Sequence, residues 1–163
     1  MSIEKCRAFF RALGREEDIL EFDVSSATVE LAAKAVGVEP ARIAKTLSFQ
    51  VGEGCVLVVA AGDAKIDNSK FKAQFHTKAK MLTPEQVEEF TGHAVGGVCP
   101  FAIEDPRTVT YLDVSLKRFE TVYPAAGSSN SAIALTCAEL EAYSHSAGWV
   151  DVCKIWREPP KAK

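Results

Sequence analysis

The sequence predicts an α/β (α+β) chain in which a mixed sheet is covered by short helices. Three observations carry this. Residues 47–51 alternate as a half-buried strand does, with Leu47, Phe49 and Val51 on one face and Ser48 and Gln50 on the other. A Gly52-Glu53-Gly54 turn then leads into an unbroken apolar run over 55–61, so the two segments form a hairpin whose second strand is the more buried. Between such strands lie helix signals, including two capping boxes, Thr83-Pro84-Glu85-Gln86 and Thr136-Cys137-Ala138-Glu139. The hairpin and the uneven spacing argue against a regular doubly wound βαβ fold. No repeat, linker or low-complexity run divides the chain, so residues 1–163 read as one domain.

In chain order, Ser2 can cap a first helix with Ile3, Phe9, Phe10 and Leu13 as its apolar positions and Gly14 as its stop. A short strand is expected over 19–24. Ser25 or Ser26 can cap a helix over 27–36, closed by Gly37, and Pro40 suits the first turn of a short helix. The chain then reaches Lys45. If the strand already runs at this position, the ammonium shares the parity of the apolar face and points to the inner side of the sheet. If the strand starts at Thr46, Lys45 reaches solvent.

Beyond the hairpin, Asp67 can cap a helix to Phe75, 80–82 reads as a short strand, and the first capping box opens a helix ended by Gly92. The segment 92–100 holds three glycines and a proline, so it is a shaped loop. Strands follow over 108–113, 121–125 and 131–135, with a short helix over 114–119 and a Gly127-Ser128-Ser129-Asn130 turn. The second capping box opens a helix to His145. A last strand over 149–156 and a polar tail over 157–163 complete the chain.

Composition narrows the function. The chain is 47% hydrophobic, 25% charged and 9% aromatic, and no apolar run approaches the roughly 20 residues that cross a bilayer. There is no signal-peptide plan. Five cysteines form no Cys-x-x-Cys pair and the three histidines lack metal-ligand spacing, so a reduced cytoplasmic protein with neither metal nor cofactor is expected. A net charge of −3 means that any nucleic-acid contact must be local. The one stretch that concentrates positive charge is 65–80, where Lys70, Lys72 and Lys78 are candidate phosphate contacts, although a solvated helix face would look the same.

Two stretches could carry chemistry. Gly96 and Gly97 let backbone approach a ligand, with N–H groups able to face an anion or a developing oxyanion, but from the residues alone a plain turn into a strand is the favoured reading. Cys99 lies six residues after His93, yet no local signature marks it as a nucleophile, and the sequence favours a small buried cysteine. Carboxylates do not pair. Asp113, at a strand end, is either functional or a helix cap.

In order and spacing, these segments resemble the YbaK and prolyl-tRNA synthetase editing-domain family of aminoacyl-tRNA deacylases. The resemblance runs through 27–32, 38–47 with its Ala44-Lys45-Thr46-Leu47, Ala60-Gly62-Asp63, 67–71, 80–82, 91–101 and 126–133. Its most specific pieces are the lysine opening a strand, Lys45, and a Gly-x-x-x-Pro loop, Gly96 to Pro100. It implies a mixed, mostly antiparallel, partly open β-barrel with flanking helices, and hydrolysis of the ester joining a wrongly attached amino acid to the tRNA 3′ end. It further implies that Lys45 holds the substrate, that Gly96 and Gly97 present N–H groups to the ester, and that Thr46, Val98, Cys99, Pro100, Ser128, Ser129 and Asn130 border it. The implied partner is tRNA, with a synthetase as a second one, and no metal or membrane. A non-catalytic module of the same fold, recognising an aminoacylated end or a synthetase, is the competing expectation, and a cysteine hydrolase acting through Cys99 a third. The serines and asparagine after Gly127, and Cys99 where serine is common, depart from the family pattern and bear on which amino acid fits.

Overall fold

The computed structural model describes residues 2–154, centred on the hairpin. The elements are α1 (Ser2–Ala12), β1 (Ile19–Glu21), α2 (Val29–Val36), β2 (Ile43–Val51), β3 (Gly54–Ala61), β4 (Lys65–Ile66) and α3 (Asn68–Phe75). They continue as α4 (Pro84–Thr91), β5 (Thr108–Asp113), β6 (Thr121–Pro124), β7 (Ser131–Ile133), β8 (Leu135–Thr136), α5 (Cys137–Tyr143), β9 (Trp149–Val150) and β10 (Cys153–Lys154).

Six strands form a curled half-barrel in the order β8-β6-β2-β3-β5-β9, and β1 with β7 and β4 with β10 add two short antiparallel pairs. β3 is antiparallel to β2 and parallel to β5, which places it mid-sheet with both faces covered. Its apolar run follows from that position, because a strand buried on both sides has no use for polar alternation. The register sets the two faces of the hairpin. Lys45, Leu47 and Phe49 lie opposite Ala60, Val58 and Val56, whereas Thr46 and Ser48 lie opposite Val59 and Leu57 on the other face.

The first face carries the main core. Phe49 packs on Phe71 of α3 at 4.8 Å between rings, and α1 adds Cys6 and Phe10, with Phe10 meeting Phe101 at 4.9 Å. The second face is covered less completely, by Leu82 and by Val87 and Phe90 of α4 against Cys55 and Leu57. A cavity opens beside this smaller cluster.

Several elements differ from the sequence expectation. α2 is capped by Thr28, whose hydroxyl accepts the Leu31 N–H at 3.2 Å, leaving Ser25 and Ser26 to bond elsewhere. The 80–82 strand reduces to a single bridge between Met81 and Phe49. The expected strand over 131–135 divides into β7 and β8, which pair in different sheets. That over 149–156 divides likewise into β9 and β10, with Ile155 and Trp156, like the tail, outside the described residues. Leu13 is exposed, and the buried stripe of α1 is Cys6 and Phe10. Asp113 is a cap: its two oxygens accept the N–H groups of Ser115 and Val152, each at 2.9 Å. Among the described residues no helix is long and apolar enough to cross a membrane.

Candidate functional site

A cavity of about 450 Å³ lies between β2, the 95–98 segment and the chain around Ser26 and Ser131. The β2 wall supplies Lys45, Thr46 and Ser48. β2 begins at Ile43, so Lys45 already sits in the ladder opposite Ala60 and is half-buried. Its ammonium turns to the tight bend after β3, donating to the carbonyl of Ala64 and to that of Gly62 at 3.4 Å. Burial holds its pKa below that of an ordinary lysine, while Cys153 and Asp63 act in the opposite direction.

Thr46 is the unbalanced member of the wall. Its Oγ1 is buried and has no hydrogen-bond partner among the described residues, and the residue lines the cavity. A buried hydroxyl left unpaired costs about 1–3 kcal/mol, so this oxygen is a ready point of attachment for a ligand donor or acceptor. Thr46→Val is therefore expected to leave thermal stability unchanged or higher while weakening whatever the cavity holds, by about tenfold in kcat/KM. Paired melting curves and kinetics check this.

The opposite wall is the glycine loop. Gly96 and Val98 line the cavity, and their N–H groups have no partner among the described residues. Gly97 differs from expectation. Its N–H already donates to Ala94 O at 3.0 Å, closing a turn, so in this conformation it is not a donor for a substrate. Its role is steric: a Cβ there would lie 2.8 Å from the Ser128 Cα and N, so only glycine lets the two loops meet backbone to backbone.

The Gly127-Ser128-Ser129-Asn130 turn is likewise a brace. Ser128 Oγ bonds Asn130 Oδ1 and Ser131 Oγ, each at 2.8 Å, and Asn130 Nδ2 donates to Phe22 O at 3.0 Å. Ser129 O accepts the Ser26 N–H at 2.6 Å. None of Ser128, Ser129 and Asn130 lines the cavity, whereas the next residue, Ser131, does.

Cys99 and Pro100 are buried behind the loop, off the cavity. Burial pushes the Cys99 thiol well above the usual range and pulls His93 below its own, so both are neutral at neutral pH and Cys99 lacks the thiolate that a nucleophile needs. Cys99→Ser, assayed in chelator, is expected to keep the chain's activity within a few-fold of the parent's. A covalent adduct trapped on Cys99 during turnover would contradict this.

Of the expected site residues, the structure thus gathers Lys45, Thr46, Gly96 and Val98 on the cavity wall and moves the rest to supporting positions. Ser26, Ser48, Ser131, Met81 and Val95 also line it. Only Ser48 was readable, as the residue two beyond Thr46 on the same strand face. Met81 and Val95, 60% and 62% exposed, form an apolar rim to it. The lysines stand apart: Lys72 and Lys78 are exposed and border a small recess with Asn68 and Ser69, but Lys70 is tied to Asp151 and to Cys153 O, each at 3.2 Å.

Residues 23–143 match the model of the family described as the aminoacyl-tRNA editing domain. The chain belongs to that family. The uncharacterized protein YwhH of Bacillus subtilis (strain 168) is 57% identical over 159 residues, 96% of this chain and 99% of its own. A proline–tRNA ligase of Thermotoga sp. (strain RQ2) is 30% identical over 93 residues, 56% of this chain but 16% of the ligase. A crystal structure of a protein proposed as a trans-editing enzyme for prolyl tRNA synthetase superposes with a TM-score of 0.84 at 29% identity, over 94% of this chain and 97% of that one. In an editing domain, the cavity between β2 and the Gly96–Val98 loop is the candidate ester site, and aminoacyl-tRNA the substrate class.

Proposed function

We propose that this chain hydrolyses, in trans, the ester linking a small amino acid such as alanine, cysteine or serine to the 3′ end of a mischarged tRNA, tRNA-Pro first among candidates. The observation that carries the reading is the pairing, across one cavity, of an unpartnered buried hydroxyl on Thr46 with the unpartnered N–H groups of Gly96 and Val98. The ester carbonyl would rest against the loop N–H groups. Water adds to the carbonyl carbon, the oxyanion is met by those donors, and the C–O bond to the ribose then breaks as the ribose oxygen takes a proton. Among the described residues no carboxylate or imidazole lines the cavity, so the neighbouring ribose hydroxyl is the group best placed to orient the water. Lys45 would anchor the substrate at the end of β2, contacting the terminal nucleotide or the aminoacyl group.

The likeness to proline–tRNA ligases supports the prolyl system as the source of substrate and of any partner synthetase. Five free cysteines suit the reducing cytoplasm, where charged tRNA is used. A binding module without turnover is the second reading, favoured by one observation: the Lys45 ammonium is already held by two carbonyls. Single-turnover assays with tRNA-Pro charged with alanine, cysteine, serine or proline separate the two. Release of one small non-cognate amino acid, with prolyl-tRNA spared, supports the hydrolase; tight binding with no release of any supports the module.

The body of the tRNA would meet Lys72 and Lys78, since Lys70 is committed to Asp151. Lys72→Ala with Lys78→Ala is expected to raise KM more than it lowers kcat. Removing one lysine–phosphate pair should flatten the log–log salt dependence of binding by about 0.7–0.9. An unchanged slope would place the tRNA surface elsewhere.

A further inference from the structure

Behind the glycine loop, on the side away from the cavity, three ligand-type groups converge that no sequence spacing pairs. Cys6 of α1, His93 and Cys99 are all fully buried, and one ligand atom from each lies within 4.8 Å of the others. Cys6 Sγ and Cys99 Sγ are 3.5 Å apart, and Cys99 Sγ is 3.5 Å from His93 Nε2. A tetrahedral zinc site with Zn–S of about 2.3 Å and Zn–N of about 2.0–2.1 Å has edges of about 3.8 Å between sulfurs and about 3.5 Å between sulfur and nitrogen. Two of the three edges are already close to these values, and the third lies within 4.8 Å.

We propose that Cys6, Cys99 and His93 form a binding site for a soft divalent cation of the zinc class. Two thiolates and a neutral imidazole balance a divalent charge, so the filled site is neutral, as burial requires. Uptake transfers both thiol protons to the solvent and forms two metal–sulfur bonds and one metal–nitrogen bond. His93 Nε2, now 2.9 Å from Phe101 O, gives up its proton to Nδ1, which has no partner among the described residues.

The ion would tie α1 to the loop whose other side, at Gly96 and Val98, lines the cavity. Cys6 lies outside the 23–143 family match, so the clamp joins the editing domain to a helix that precedes it.

The test is titration of the whole, phosphine-reduced, chelator-stripped chain with Cd²⁺, followed by thiolate-to-metal charge-transfer absorption, and with Zn²⁺, followed by melting temperature and proton release. One ion per chain, two protons released and a higher melting temperature are expected, with the absorption lost in Cys6→Ser and in Cys99→Ser but kept in Cys137→Ser. X-ray absorption at the zinc edge of the parent chain counts ligands independently of any variant's folding, and two sulfurs with one imidazole are expected. No absorption band, a band that survives in the Cys6→Ser/Cys99→Ser double variant, or a zinc shell without sulfur overturns the proposal.

Discussion

Lys45→Ala is expected to lower deacylation by about 10²-fold or more while the chain stays folded. Removing a positioned, charge-assisted hydrogen bond at a reacting group has this effect, a few kcal/mol of transition-state stabilisation. The folded state loses less. The two carbonyls that the ammonium now satisfies, of Gly62 and Ala64, sit in the turn after β3, and leaving them unpaired costs about 1–3 kcal/mol. Burial lowers the Lys45 pKa below its ordinary 10.5, so its charge is lost at lower pH than that of a free lysine. The rate ratio of parent to variant should therefore shrink as pH rises, before pH 10.5 is reached. Near-parental turnover by a folded Lys45→Ala chain, or a ratio flat across the alkaline range, would remove Lys45 from the site.

Gly97→Ala is expected to impair activity by about 10²-fold, though Gly97 does not line the cavity. A methyl group there would lie 2.8 Å from Ser128 backbone atoms, and backbone on both sides leaves no flexible end to yield. The loop must move outward, carrying Gly96 and Val98, and a shift of about 1 Å in a positioning wall costs about that factor. The overpacking itself should cost about 1–3 kcal/mol, read as a lower melting temperature. If Gly97→Ala melts lower yet deacylates normally, the loop does not form the ester wall.

The hairpin, the two capping boxes and a lysine near the start of β2 were legible because each depends on residues adjacent in sequence. Lys45 illustrates the limit. Its parity was readable, but its partners, Gly62 O and Ala64 O, lie across the hairpin and depend on where the chain bends after β3. Gly97 and Ser128 are thirty-one positions apart, and nothing local in either says that their backbones touch. The resemblance placed the serines of the 127–131 turn beside the substrate. The structure ties the Ser128 hydroxyl to Asn130 and Ser131 and the Asn130 amide to Phe22 O, and of the turn's polar residues it leaves Ser131 on the cavity wall. Cys6, His93 and Cys99 show the same limit most sharply: metal-ligand spacing is a feature of one short segment, whereas the cluster draws one member from α1 and two from a loop more than eighty residues later.

The most direct test of where the ester docks uses a tRNA-terminal adenosine carrying alanine through an amide, which resists hydrolysis. Titrated into the ¹⁵N-labelled chain, it should shift the amide resonances of Thr46, Gly96 and Val98 in one saturable step, with weaker binding in Thr46→Val. Shifts confined to the face of α1 and the 100–106 segment, or binding indifferent to Thr46, would show that the cavity between β2 and the glycine loop is not the editing site.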